Sequence, residues 1–204
     1  YLRRALDLIS ALYRRATRVT REVRGIRVIV ENPYPNIENA FVLGRLDDAL
    51  ALIERQQPNR FRHFQRDVRT LWVTRYPARG VYFPGARTVM TEVTFLDRRD
   101  ISTAQIAASI LHEGVHARVH QMGVRLGFRR QWPMAEEERL CRRAEIAFAM
   151  TLPPSDAAPV LAVLGDRPAA SQRQPPRLRL AVDGPDELRR SREGRVVAVD
   201  DHLR

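Results

Sequence analysis

The sequence predicts an α+β domain. Three observations carry that reading. Three β-branched runs suggest a small mixed sheet of about three strands. A well-capped helix starting near Ser102 carries His112, Glu113 and His116. An acidic, Glu-bearing helix follows it after Pro133.

The elements can be taken in order. Residues 2–23 read as an N-terminal amphipathic helix, with Leu2, Leu6, Ile9, Leu12, Tyr13 and Ala16 on one face and Gly25 as its stop. Ile26 to Val30 is a strand, and Asn32, Pro33, Pro35 and Asn36 turn the chain. Residues 38–56 return to helical spacing through Phe41, Leu46, Ala49, Leu50 and Ile53, and Pro58 closes them. Residues 68–76 form a second strand. Pro77, Gly80, Pro84 and Gly85 punctuate a loop, and 88–96 is a third strand. The central helix has Ser102 as its cap, Gln105 completing a capping box, and a buried stripe of Ile106, Ile110 and Val115 running to about Met122. The next helix spans about 134–150. Pro153 and Pro154 then end the domain at 1–153. Residues 154–204 read as a Pro/Arg-rich, poorly structured tail, with short strands at 178–182 and 196–199.

Composition narrows the function classes. An apolar fraction of 44% and a charged fraction of 29% over 204 residues suit a soluble globular domain. No apolar run approaches the ~18 residues a membrane helix needs, and no signal peptide is legible. The chain opens on Tyr1, so an upstream segment can precede it. The single Cys141 excludes an internal disulfide framework and favours a reducing, cytoplasmic compartment. The net charge of +11 raises a basic nucleic-acid-binding protein as one alternative. However, the chain has no lysine and its arginines are dispersed, which reads as a coding bias rather than a binding design. No helix-turn-helix, zinc-finger or aromatic–basic signature accompanies them.

The chemistry lies in His112-Glu113-Gly114-Val115-His116. On a helix, positions i and i+4 share a face, so both imidazoles can reach one ion at about 2.0–2.1 Å. Glu113 points about 100° away from His112, where it can serve as general base toward a water activated by the metal. The uncharged flanks Ser109, Ile110, Leu111 and Ala117 suit a buried catalytic helix.

This pattern resembles the zincin metallopeptidases over about residues 88–153, with Arg118 departing from the apolar residue usual there. The resemblance implies a zinc-dependent, peptidase-like hydrolase binding one Zn2+ and acting on a peptide or protein substrate. The metzincin type is excluded because Val119 and Met122 stand where a Gly and a His are needed. His120 continues the histidine face but lies two turns, about 12 Å, beyond His112.

The gluzincin type draws a Glu from a later helix, and Glu136, Glu137 and Glu138 lie at a suitable spacing. The line Glu138, Cys141, Glu145, Phe148, followed by Leu152-Pro153, resembles small bacterial zinc-peptidase-like proteins. Glu138 is therefore the favoured third ligand, with Glu145 next and Glu137 third. Cys141 reads as a packed core residue. The resemblance also implies that 88–96 is an edge strand holding substrate, and that an oxyanion donor exists among Tyr82, His63 and Arg118. The remaining alternative is a non-catalytic metal-binding sensor or regulatory protein of the same fold. Oligomeric state is not legible.

Overall fold

The computed structural model describes residues 18–127 and 133–165. The expected helix over 2–17 and the expected tail strands at 178–182 and 196–199 lie outside the described residues.

The α+β class is as expected, but the sheet is larger: among the described residues it has five strands in the order β1-β2-β3-β5-β4. Strands β2 (Ile26–Glu31), β3 (Thr70–Thr74) and β5 (Thr88–Glu92) run parallel in the centre. Strands β1 (Arg18–Val23) and β4 (Gly80–Phe83) flank them antiparallel.

Both outer strands are corrections. Residues 18–23 form a strand, not the end of a helix. Gly25 does not stop a helix; it is the second residue of a two-residue hairpin turn in which Arg24 (φ 49°) and Gly25 (φ 72°) are both left-handed. That is the turn geometry whose twist matches two antiparallel strands. Gln65 Nε2 donates to the Arg24 carbonyl at 2.9 Å, tying the turn to the helical layer. Strand β4 falls where a loop was expected. Pro77 and Pro84 bracket only four strand residues, and pairing with β5 supplies their regularity.

Six helices are described. Helix α1 (Asn39–Gln56) buries Val42, Leu46, Ala49, Leu50 and Ile53. Pro58 does not merely close it. It opens α2 (Pro58–Asp67), where the first helical turn tolerates a residue without an N–H. The third strand stops at Glu92, whose side chain accepts from the Phe95 amide at 2.8 Å and caps the short α3 (Val93–Asp97). Helix α4 (Thr103–Arg125) shows the expected capping box. Ser102 Oγ accepts from the Gln105 amide at 3.2 Å, and Gln105 Oε1 accepts from the Ser102 amide at 2.9 Å. Its buried stripe runs through Ile106, Ala107, Ile110 and Leu111; Val115 is only half-buried. Helix α5 covers Met134–Ala149. Pro154 then opens α6 (Pro154–Gly165), where the tail was expected to begin. Ala157 and Val160 of α6 are buried, and the helix packs on α4 and α5.

One face of the sheet, Val28, Val30, Leu71, Val73 and Val89, joins the helices in a single core. Helix α4 sits at its centre, touching α1, α2, α5, α6, β4 and β5. Its contact with α2 is close: a Cβ on Gly114 would lie 2.7 Å from Phe64 Cδ2. This accounts for a glycine inside the histidine motif despite its cost of about 1 kcal/mol in a helix. The same helix pair is locked further along by Asp67. Its buried carboxylate accepts from Arg66 (3.1 Å), Arg118 (3.3 Å) and Arg125 (2.8 Å). Burial pushes this carboxyl up, but the three guanidiniums outweigh it and hold the group below its ordinary range.

Candidate metal centre

Helix α4 places His112 and His116 one turn apart, with ring centroids 5.1 Å from each other. Helix α5 packs across them and brings three carboxylates. Glu138 faces both inner nitrogens: its Oε2 is 3.5 Å from His112 Nε2 and its Oε1 is 3.2 Å from His116 Nε2. Glu145 Oε2 lies 3.3 Å from His112 Nδ1, and Glu137 Oε2 lies 3.1 Å from His116 Nδ1. The three candidate glutamates are thus all present and occupy different positions. One lies between the rings and two lie behind them.

Cys141, one turn beyond Glu138, is fully buried. Its Sγ and one nitrogen from each of His112 and His116 lie within 4.8 Å of one another, a group that could hold a metal ion. As expected, it is a packed core residue; its place within reach of both histidines was not foreseen. The only trace of this in the sequence is its position three residues after Glu138.

Carboxylates dominate the electrostatics around the two histidines. Burial works against a charged His112, yet Glu138, Glu145 and Glu113 drive its pKa up to about 10. Burial likewise opposes charging His116, but Glu138 leads the carboxylates that raise it. Burial, with help from the surrounding carboxylates, pushes the Cys141 thiol up. His112 Nδ1 and Glu145 Oε2 make only an oblique contact and remain without a well-formed hydrogen bond. Buried acids crowded around two imidazoles fit a divalent ion, whose charge would compensate them.

Glu113 is buried on the flank of the histidine pair, against β4. Burial raises its pKa, and the two histidines oppose that rise. The Tyr82 backbone N–H donates to its carboxylate. A Cβ on Gly80 would meet Glu113 Oε1 at 2.9 Å, so the side chain lies almost on the β4 backbone. Neither contact was legible in the sequence, because both depend on a strand that was read as a loop.

The sheet order corrects the expected substrate-holding edge. Strand β5 is flanked by β3 and β4, so it has no open edge. Among the described residues the edge strand beside Glu113 is β4. The Glu92 amide donates to the Arg79 carbonyl at 2.9 Å. Antiparallel alternation therefore turns the amide groups of Gly80 and Tyr82 away from β5 and toward Glu113.

The expected oxyanion donors separate. Arg118 is paired with Asp67 on another face of α4, and His63 sits close enough to that cluster for Arg118 and Arg66 to help burial lower its pKa. Tyr82 alone belongs to an element touching Glu113; its hydroxyl accepts from Gln121 Nε2 at 3.5 Å. His120 stands apart from the histidine pair, against Gln121 (3.3 Å) and the Tyr82 ring (6.0 Å).

Among the described residues no helix is long and apolar enough to cross a membrane. Neither the known family profiles nor the curated proteins include a match to this chain.

Proposed function

We propose that the protein is a zinc-dependent, peptidase-like hydrolase in which His112, His116 and Glu138 hold the metal and Glu113 is the general base. The observation that carries this reading is the layered arrangement of carboxylates. Glu138 faces both Nε2 atoms, while Glu145 and Glu137 each back an Nδ1. A carboxylate behind a ligating histidine accepts its Nδ1–H, fixes the tautomer and aims the Nε2 lone pair inward; Glu137 is placed to do this for His116, while Glu145 lies 3.3 Å from His112 Nδ1 without a well-formed hydrogen bond. Two histidines and one carboxylate are a donor set of catalytic zinc sites.

Bound zinc would polarise the scissile carbonyl and lower the pKa of its water to about 7. The protein's own contribution follows from its geometry. Burial raises the Glu113 pKa, which brings it toward the range in which a carboxylate can accept a proton and later return it to a leaving group. The Tyr82 N–H holds that carboxylate in place, and the missing side chain at Gly80 makes room for it. The remaining outward amide of β4, that of Gly80, can start the pairing of an extended peptide along this edge.

One observation favours a second reading. With Cys141 counted, two imidazoles, a carboxylate and a thiol make four protein donors, the number that closes a structural zinc site. In that case the protein is a metal-binding sensor or regulator. Replacing Glu113 by Gln separates the two. The hydrolase keeps about one zinc per chain and loses peptide hydrolysis by about 10²–10⁴-fold. Unchanged hydrolysis would refute the assigned base, and wild-type protein that binds zinc without hydrolysing peptides would establish the second reading.

A further inference from the structure

The sheet has a second apolar face. Side chains directly opposite one another on paired strands share a face. The register therefore aligns Thr20, Ile29, Trp72, Met90 and Val81 in one row across the five described strands. Phe83 follows Val81 by two residues on the same face, and its ring lies 6.4 Å from Trp72 and 6.2 Å from Tyr76. Met90 is fully buried and Ile29 is 6% exposed. Neither belongs to the core that the opposite face shares with the helices, and the half-buried Trp72, Val81 and Phe83 are not among the side chains packed against that core. Strand neighbours screen a side chain from the sides but not from above the sheet. An apolar row buried on this face therefore needs a cover of its own.

The chain brings a suitable segment to the end of the row. Residues 2–16 carry Leu2, Leu6, Ile9, Leu12, Tyr13 and Ala16 at helical spacing. Ala16 lies two residues before Arg18, where β1 begins, and β1 carries Thr20 at one end of the row. Neighbouring strands lie about 4.8 Å apart, so the row from Thr20 to Val81 is about 19 Å long. Residues 2–16 as a helix extend about 22 Å, enough to cross it. So short a tether gives the segment a local concentration on the order of millimolar, which favours it over a second copy of the chain.

We propose that residues 2–16 dock on this face as an amphipathic helix, with the stripe of Leu6, Ile9 and Leu12 seated on the row of Ile29, Trp72 and Met90. The docking is independent of the chemistry at the candidate metal centre, but it backs the strand beside it. Val81 and Phe83 belong to β4, and Glu113 rests against the β4 backbone at Gly80 and Tyr82. The docked segment thereby steadies the support of that carboxylate.

The test uses the full chain with isotope-labelled Ile, Leu and Met methyl groups. Nuclear Overhauser effects are expected from the Ile9 and Leu12 methyls to those of Ile29 and Met90, within one chain. Their absence overturns the proposal, as do effects that link Met90 to residues 166–204 instead. In a mixture of differently labelled chains, effects running only between copies would assign the face to a second copy and overturn it too. Two variants then check which side of the segment is seated, in a Trp132→Phe background that leaves Trp72 as the single indole. Ile9→Glu should erase the Leu12 effects, shift the Trp72 emission to the red and quicken hydrogen exchange of the Tyr82 amide. Ala11→Glu, two residues on and so about 200° round the helix, should do none of these. Equal responses from both variants refute the assigned stripe. A displaced segment with unchanged Tyr82 exchange refutes the backing of β4. Far-UV circular dichroism detects an Ile9→Glu chain that fails to fold, and the wild-type effects then decide the docking.

Discussion

Exchanging the carboxylates of α5 one at a time should rank metal affinity in an order set by their contacts. Glu138 reaches both inner nitrogens, at 3.2 and 3.5 Å, whereas Glu145 and Glu137 each reach an outer nitrogen, at 3.3 and 3.1 Å. A protein zinc site is worth about 10–16 kcal/mol. Shared over four donors, that is about 2.5–4 kcal/mol each, or roughly a hundred- to a thousandfold in affinity. Glu138→Ala should lose that much. Removing a carboxylate behind a ligating histidine costs about 10–100-fold, or about 1.4–2.7 kcal/mol. Glu145, with a side chain 8% exposed, should sit near the top of that range, and Glu137, 21% exposed, near the bottom. Zinc titration against a chromophoric chelator at pH 7 reads the affinities, and far-UV circular dichroism checks that each variant folds. A Glu138→Ala affinity within tenfold of wild type would refute the assignment. So would a larger loss from Cys141→Ser than from Glu138→Ala, which would move the ion onto His112, His116 and Cys141.

Two further predictions concern the scaffold. Gly114→Ala should destabilise the protein by up to about 2 kcal/mol, since overpacking against Phe64 costs about 1–3 kcal/mol and alanine returns about 1 kcal/mol of helix propensity. Thermal melts of Gly114→Ala with and without Phe64→Leu measure this; a single variant more stable than wild type would show that the helices are not in tight contact. Asp67→Asn should cost about 1–3 kcal/mol, below the usual value for a broken buried pair because its arginine partners are partly solvated. The folded carboxyl titrates below its unfolded value. Its contribution is therefore fully present above about pH 4 and is lost as the pH falls through the lower folded pKa. Denaturant midpoints at pH 7, 4 and 3 should converge for wild type and variant as the pH drops, and a constant gap would show that the charge of Asp67 is not what stabilises α2 against α4.

The parts of this molecule that were legible in its sequence are those governed by contacts within one turn of chain. Ser102 and Gln105 announce the start of α4, because a capping box is closed by residues three apart. The spacing of His112 and His116 puts them on one face for the same reason. Helix α1 showed itself through a stripe that its own periodicity defines. By contrast, Arg18–Val23 carries a pattern compatible with helix or strand, and its pairing with β2 across a left-handed turn decides the matter. Strand β4 has only four residues between prolines and exists through its pairing with β5. Helix α6 begins at a proline that serves equally as a stop or a start.

The candidate metal centre divides in the same way. The histidine pair and Glu113 belong to one helix, so the sequence alone determined their mutual geometry. The roles of Glu137, Glu138 and Glu145 depend on how α5 crosses α4, through contacts between residues 21 to 33 positions apart that no local pattern encodes. Tertiary packing alone set Glu138 between the rings, Glu145 and Glu137 behind them, and Cys141 within reach of both. Sheet order alone put β4, rather than β5, at the edge of the described sheet beside Glu113, because strand neighbours are chosen by long-range burial and hydrogen bonding rather than by nearness in the chain.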